Sequence, residues 1–403
     1  MDKSELVTLL SADGLRLLDS LPPYDSKADV VRTVSALRTQ GHSPALVAAV
    51  LTQSKLRRHA AVKFGEFADR MLFTPAGLEQ ATRLSVAAVH AGRFRAAGLH
   101  RIADLGCGIG GDALALAALD IQVTALERDE VTAAIAAYNL APWPNVTVVQ
   151  GEAASFDPTD VDGVYLDPAR RTASRRLTNP ADWSPSLDTV FALADRLPTG
   201  VKLAPGMDRA LIPAAAEAQW VSVDREVVEV SLWFGALARP GIRRSALLLL
   251  GKHGSAELTA GDDSEDAPVG ALGQYLYEPD GAIIRARLIG DLARRLYATM
   301  ISDGIAYLSS DTPADTPFAT RFRIVEVLPW DERALKKTLA QRGVGTLEIK
   351  KRGVDVDPAK LRKRLALKGK DSATVVITRV AGRHCVLVVE RDGESQSPGR
   401  PPT

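Results

Sequence analysis

The sequence predicts an α/β protein: a mainly parallel sheet of seven strands, preceded by a helical region and followed by a small α+β domain. Three observations carry this. Through residues 1–98 apolar residues recur at three- and four-residue spacing, as at Leu46, Val47, Val50 and Leu51 and again at Leu84, Val86 and Val89, without strand alternation. From His100 onward, short β-rich runs alternate with alanine-rich helical stretches, a pattern that packs as a parallel sheet covered on both faces. From Arg321 to Arg391 the order reads βαβαββ, the outline of a small α+β domain.

In chain order the seven strand candidates are "RIADLG", "IQVTALE", "NVTVVQG", "DGVYLDP", "GVKLAPG", "VVEVSLWFG" and "RRSALLLLG". The last two are joined by "ALARPGI", which is too short and turn-rich for a crossover helix, so the seventh is expected antiparallel to the sixth. These runs place the sheet domain at 99–252. "GDDSEDAPVG" at 261–270 is acidic and bears Gly and Pro, which makes 253–320 a linker and connecting segment with a helix near Ile289 to Met300 and a strand "GIAYLSS". The domain at 321–391 follows, and the tail 392–403 has too little apolar content to fold.

Composition excludes several classes. A 403-residue chain that is 46% apolar can bury a large core without staples, and Cys107 and Cys385 are too few and too far apart for a disulfide framework or a metal cluster, so no metal is expected and a reducing cytoplasm is the natural compartment. No apolar run approaches a membrane span; the strongest is "ALLLL" at 246–250. The net charge of +1 hides an asymmetry: Arg321 to Arg391 holds 18 Lys and Arg against 8 Asp and Glu, leaving 32 against 41 elsewhere. Clustered cations gain by releasing counterions from phosphates, which favours a polyanionic partner at the basic end. There the runs "KKRG", with Lys350, Lys351 and Arg352, and "LRKR", with Arg362, Lys363 and Arg364, are the candidate polyanion contacts.

The sharpest chemical signal is "IADLGCGIGGDALALA". Asp104 closes a strand, Gly106, Gly108, Gly110 and Gly111 form a loop that lets a ligand touch bare backbone, and Asp112 opens a helix whose N-terminus favours polar or anionic groups. Dinucleotide-binding proteins use a similar loop. Two acids narrow the reading: Asp104 stands two residues before the first glycine, where a carboxylate can hold a cationic amine, and Glu127 ends the next strand 23 positions later, where it can accept from two ribose hydroxyls.

These residues resemble class I S-adenosylmethionine-dependent methyltransferases, with their Rossmann-like seven-stranded sheet. The resemblance implies S-adenosylmethionine as cofactor, with the glycine loop beside its methionine moiety, Asp104 near its amine, Glu127 on its ribose, and Glu152 with Ala153 at its adenine. It also makes the end of the fourth strand, "YLDPARR", the substrate-facing motif. Asp167 and Pro168 match enzymes that methylate exocyclic base nitrogens, whereas Ala169 replaces their second proline and Arg170 their aromatic. Arg170 and Arg171 can stack on bases or pair with phosphates, and Lys202 in "VKLAPG" ends the fifth strand at the ligand-facing edge.

A wider set of blocks is similar to bacterial methyltransferases carrying a THUMP-like domain. It comprises "KFGEFADRMLFTPAGLEQATRLSVAAVHAGRF", "DPARR", "VKLAPG", "EVSLWFG" and "VGTLEIKKRGVDVDPAKLRKRLALKG", within about residues 45–391. That resemblance implies an RNA-directed transferase. Within "FTPAGLEQAT", Phe73, Gln80 and Thr82 fall where such enzymes close over the cofactor. The residues leave two other readings open: a methyltransferase of a small molecule or protein, and an RNA-binding protein that keeps the fold without the reaction.

Overall fold

A computed structural model describes residues 1–21, 27–168, 179 and 182–391. Arg170, Arg171, the turn around Pro22 and Pro23, and the tail 392–403 lie outside the described residues. The chain forms two compact units, one of Met1–Leu203, Ile212–Ala216 and Ser231–Arg239, the other of Ala204–Leu211, Glu217–Val230 and the residues from Pro240 on.

The first unit opens with helices α1 (Lys3–Leu9), α2 (Ala12–Ser20), α3 (Lys27–Thr39), α4 (Pro44–Phe64), α5 (Pro75–Gln80) and α6 (Leu84–Ala96). Their starts follow from local chemistry: Asp2, Ser11, Ser43 and Thr74 each accept a backbone N–H of the first turn, and Pro44 and Pro75 occupy first-turn positions where no N–H is needed. Then come β1 (Arg101–Leu105), α7 (Gly111–Ala117), β2 (Gln122–Glu127), α8 (Glu130–Leu140), β3 (Val146–Gln150), β4 (Gly163–Leu166), α9 (Leu187–Ala194) and β5 (Thr199–Leu203). The strands stand in the order β3-β2-β1-β4-β5, every pair parallel.

One hydrophobic core joins the N-terminal helices to the sheet layer, with Leu9, Val50, Ala60 and Phe64 packed together with Ile102, Ile121 and Ile135. The extended segment Met71–Thr74 runs through this core without a sheet to satisfy its backbone. Three buried side chains do so instead. Gln53 on α4 accepts from the Phe73 N–H at 3.0 Å and donates to its carbonyl at 2.7 Å, and Arg57 donates to the Met71 carbonyl at 3.0 Å. Asn139 on α8 accepts from the Leu72 N–H at 2.7 Å and donates to the carbonyls of Leu72 and Ile109 at 3.0 and 2.9 Å.

Two further strands correct the expected topology. β6 (Glu217–Val223) was absent from the seven candidates, and β7 (Glu226–Phe234) follows it after the two-residue turn Asp224-Arg225, both at positive φ, the geometry of a type I′ hairpin. In the first unit the C-terminal end of β7 lies beside β5; in the second its N-terminal part lies beside β6. The run "RRSALLLL" forms β8 (Arg244–Leu249), which pairs parallel with β6 rather than antiparallel with β7. β9 (Ser255–Ala260) is its antiparallel neighbour. β6 escapes a hydropathy reading because Glu217, Gln219 and Ser222 are buried; Gln219 donates to Glu257 at 2.7 Å, which also accepts from Ser245 at 2.6 Å.

The second unit continues with β10 (Tyr275–Pro279), α10 (Gly281–Arg285), α11 (Ile289–Leu296), β11 (Thr299–Met300), β12 (Leu308–Ser310) and β13 (Ala319–Pro329). It closes with α12 (Glu332–Gln341), β14 (Val344–Lys351), α13 (Pro358–Leu365), β15 (Asp371–Val380) and β16 (Arg383–Arg391), the expected βαβαββ order from β13 on. Its sheet runs β11-β12-β10-β13-β16-β15-β14. Alternation along the strands serves two cores. Val375, Ile377, Val386 and Val388 pack with Leu335, Leu339, Leu361 and Leu365 of the helices, while Val376, Leu387 and Val389 pack with Leu276, Tyr307 and Phe322. No helix among the described residues is long and apolar enough to cross a membrane.

Asn139→Ala removes the partner of one buried N–H and two buried carbonyls, so it is expected to destabilise the protein by about 2–4 kcal/mol. The denaturant midpoint followed by far-UV circular dichroism checks this.

Candidate functional site

The C-terminal ends of the parallel strands carry the chemistry, in the order the sheet imposes. Across it come Glu152 beyond β3, Glu127 at the end of β2, Asp104 on β1, Asp167 beyond β4 and Lys202 on β5. An open parallel sheet presents ligand-binding groups along this edge.

Asp104 is 1% exposed, and its Oδ2 has no hydrogen-bond partner among the described residues. Burial, joined by the carboxylates of Asp112, Asp167 and Glu127 and only partly offset by Lys202, pushes its carboxyl well above the usual carboxylate range. The loop after it turns through Gly106, Gly108 and Gly110 at φ of 94°, 56° and 89°, a left-handed path that favours glycine, and a Cβ on Gly110 would stand 2.9 Å from the Leu140 side chain. The N–H groups of Gly106 and Cys107 donate to the Leu126 carbonyl at 2.8 and 3.0 Å, pinning the loop to β2.

Glu127 accepts from the Gly108 N–H at 3.1 Å and the Asp129 N–H at 2.9 Å. Each carboxylate oxygen keeps a further lone pair, enough for two hydroxyl donors. Glu152 is exposed and Ala153 half-buried, at a short turn two residues past the end of β3. Asp167 is half-buried and Pro168 buried; the Asp167 Oδ2 lies 2.5 Å from the Lys202 Nζ.

Behind this edge lies a polar network that sequence reasoning missed. Thr82 donates to Asp112 Oδ2 at 2.6 Å, and His90 Nδ1 lies 2.9 Å from Asp112 Oδ1 and 3.0 Å from the Tyr165 hydroxyl. Burial alone would raise the Asp112 carboxyl, but the hydrogen bond and charge of His90, with Lys202 and Thr82, outweigh it and hold the group below its ordinary value. The network fixes the first turn of α7 to α6 and β4. Lys63, at the end of α4, donates to the carbonyls of Leu78, Glu79 and Ala81 at 2.9, 2.8 and 2.7 Å; burial, then Lys202 and Arg83, lower its amine to about 8. Only Thr82 among these had a signal, its place before the first strand.

In the second unit the basic candidates divide. Lys350 pairs with Glu278 at 2.7 Å, Arg352 lies over the Tyr307 ring at 5.2 Å, and Arg364 donates to both oxygens of Glu332. Lys351, Arg362 and Lys363 are exposed and have no ion-pair partner among the described residues.

A glycine loop between a buried acid and a second strand-end acid, on a sheet ordered β3-β2-β1-β4-β5, defines a Rossmann-like enzyme of a nucleoside cofactor. Comparison with known proteins narrows the class. Two uncharacterized S-adenosylmethionine-dependent methyltransferases of Mycobacterium tuberculosis, from strains H37Rv and CDC 1551, are each 36% identical over 335 residues, covering 81% of this chain and 90% of the relative. A crystal structure described as a methyltransferase from Porphyromonas gingivalis W83 superposes with a TM-score of 0.74 at 21% identity, over 98% of this chain and all of that one. Residues 319–391 match the family described as THUMP domain-like, and residues 2–60 match a domain of unknown function, DUF8688. The chain belongs to the S-adenosylmethionine-dependent methyltransferases, with a THUMP-like domain at its C-terminus, and its cofactor is S-adenosylmethionine.

Replacing Asp104 separates its cost from its use. Because its folded-state pKa is raised, any stability it contributes is present at acid pH and lost as pH rises through the folded value. Asp104→Asn without cofactor is therefore expected to melt higher than wild type at neutral pH, with the difference closing toward pH 4. If the Asp104 carboxylate takes the cofactor's amine, the same variant is expected to lose about 1.5–3 kcal/mol, or roughly ten- to hundredfold in affinity, the worth of a charge-assisted hydrogen bond. Calorimetric titration and melting at two pH values test both halves.

Proposed function

We propose that this methyltransferase acts on RNA in the cytoplasm, transferring a methyl group to a base nitrogen. The observation that carries the reading is the THUMP-like match over the basic segment of the chain. Within it Lys351, Arg362 and Lys363 stand exposed, together with Lys336, Lys337, Lys368 and Lys370, a density of cations suited to a phosphate backbone. We keep the division into a helical region 1–98, a transferase domain 99–252, a connecting segment 253–320 and an RNA-binding domain 321–391 as part of this proposal. Cys107 and Cys385 are both buried and free, in keeping with a reducing compartment.

S-adenosylmethionine supplies a methyl group already activated by its sulfonium, so the protein's task is chiefly to align and desolvate. Asp104 receives the cofactor's amino group, the loop Gly106, Gly108 and Gly110 gives close backbone approach, Glu127 holds the ribose hydroxyls, and Glu152 and Ala153 flank the adenine. The buried, unpartnered Oδ2 of Asp104 and the two remaining acceptor sites of Glu127 support this fit. Asp167 accepts a hydrogen bond from the target amine and takes its proton as the methyl is transferred, while Pro168 fixes the backbone carbonyl beside it. Arg170 and Arg171 hold the substrate strand.

Purified protein, labelled S-adenosylmethionine and total RNA from a strain lacking the gene test the reading, with parent-strain RNA as control. Label is expected only in the deletion-strain RNA; label in neither, with cofactor binding confirmed, would transfer the assignment to a small-molecule or protein acceptor or to a binding protein. Reversing Lys351, Arg362 and Lys363 to Glu is expected to weaken RNA binding while S-adenosylmethionine affinity stays unchanged. It should also flatten the dependence of log affinity on log salt by about 2, near 0.7 per lost phosphate contact.

A further inference from the structure

We propose that Lys202 is a positioning residue: it holds the Asp167 carboxylate in place and ties it to the turn 78–82 that closes the cofactor edge. This rests on the reading of Asp167 as the group that receives the target amine. A lysine that reached for a substrate phosphate would stand out into solvent. Lys202 is instead largely covered, its side chain 13% exposed, with its ammonium 2.5 Å from Asp167 Oδ2 and 3.3 Å from the Gln80 carbonyl, to which it donates.

That second contact gives the lysine its reach. The turn 78–82 ends α5 with carbonyls that the helix leaves without donors. Lys63 takes those of Leu78, Glu79 and Ala81, Lys202 takes that of Gln80, and the Thr82 hydroxyl binds Asp112 in the first turn of α7. One short turn is thus anchored to α4, β5 and α7, and Lys202 is the anchor that also touches the substrate-facing acid. The electrostatics agree: burial first and then the charge of Lys202 lower the Lys63 amine, and the Asp167 carboxylate is a counter-charge beside Lys202. On Gly77, in the same α5, a Cβ would come within 2.6 Å of Ile109 in the glycine loop, so α5 sits directly on the cofactor loop.

Lys202→Met and Lys202→Arg, assayed with RNA from the strain lacking the gene, test the assignment. In Lys202→Met, kcat is expected to fall roughly ten- to hundredfold, the range for a lost supporting partner. The KM for RNA should stay within about twofold. The acid limb of the pH profile should move to higher pH as Asp167 loses its counter-charge. Amide hydrogen exchange should quicken over 78–82, and Lys202→Arg should recover part of both readouts. A raised KM with kcat intact would make Lys202 a substrate contact and overturn the proposal, as would unchanged exchange over 78–82. Asp167→Asn separates the two readings: full turnover there would sink the role given to Asp167 and the kinetic half of this proposal, while exchange in Lys202→Met still decides the anchoring half.

Discussion

The ligand edge is organised around a buried carboxyl, Asp104, whose Oδ2 has no hydrogen-bond partner among the described residues. Asp104 sits where burial and three neighbouring acids all disfavour its charge. Such a group persists because the rest of the fold holds it there: a parallel sheet, a glycine loop pinned to the neighbouring strand, and Asp112 held from behind by hydrogen bonds with His90 and Thr82. Under the proposed role of Asp104, a cationic amine arriving beside it would offset the cost of charging this carboxyl, so part of the cofactor's affinity would come from a feature the fold already holds.

What sequence could read was what lies close along the chain. Asp104, the three glycines and Glu127 form a strand-loop-helix-strand unit whose chemistry is set by local spacing, and the βαβαββ order of the basic segment follows from periodicity. Supporting groups were hidden because their partners are remote: Gln53 meets Phe73 20 residues away and Asn139 meets Leu72 67 residues away, while Lys202 was legible at the ligand-facing edge but its contact with Gln80, 122 residues away, was not. No pattern within a window of ten residues announces such a pair. β6 was hidden for another reason: its buried Glu217, Gln219 and Ser222 look exposed to any reading that equates polarity with surface. Without β6 the link before "RRSALLLL" looked like a hairpin, and the direction of that strand came out reversed.

The basic candidates show how charge is divided between structure and function. Lys350, Arg352 and Arg364 lay in the two most cationic runs of the chain, yet each is spent on an acid or an aromatic ring inside its own unit. Their exposed neighbours are not. Counting cations locates a basic domain; geometry says which of them are already paired among the described residues.

The amide clamps on Met71–Thr74 bear on how the protein is made. The segment shares one core with helices on its N-terminal side, yet one of its fasteners, Asn139, is translated more than sixty residues later. A nascent chain that has emerged only to the end of α6 holds Gln53 and Arg57 but lacks Asn139, the glycine loop and most of the apolar surface those helices cover. The helical region therefore gains part of its hydrogen bonding and apolar cover from residues as far along the chain as α8, so its native packing and that of the cofactor loop are shared rather than separate.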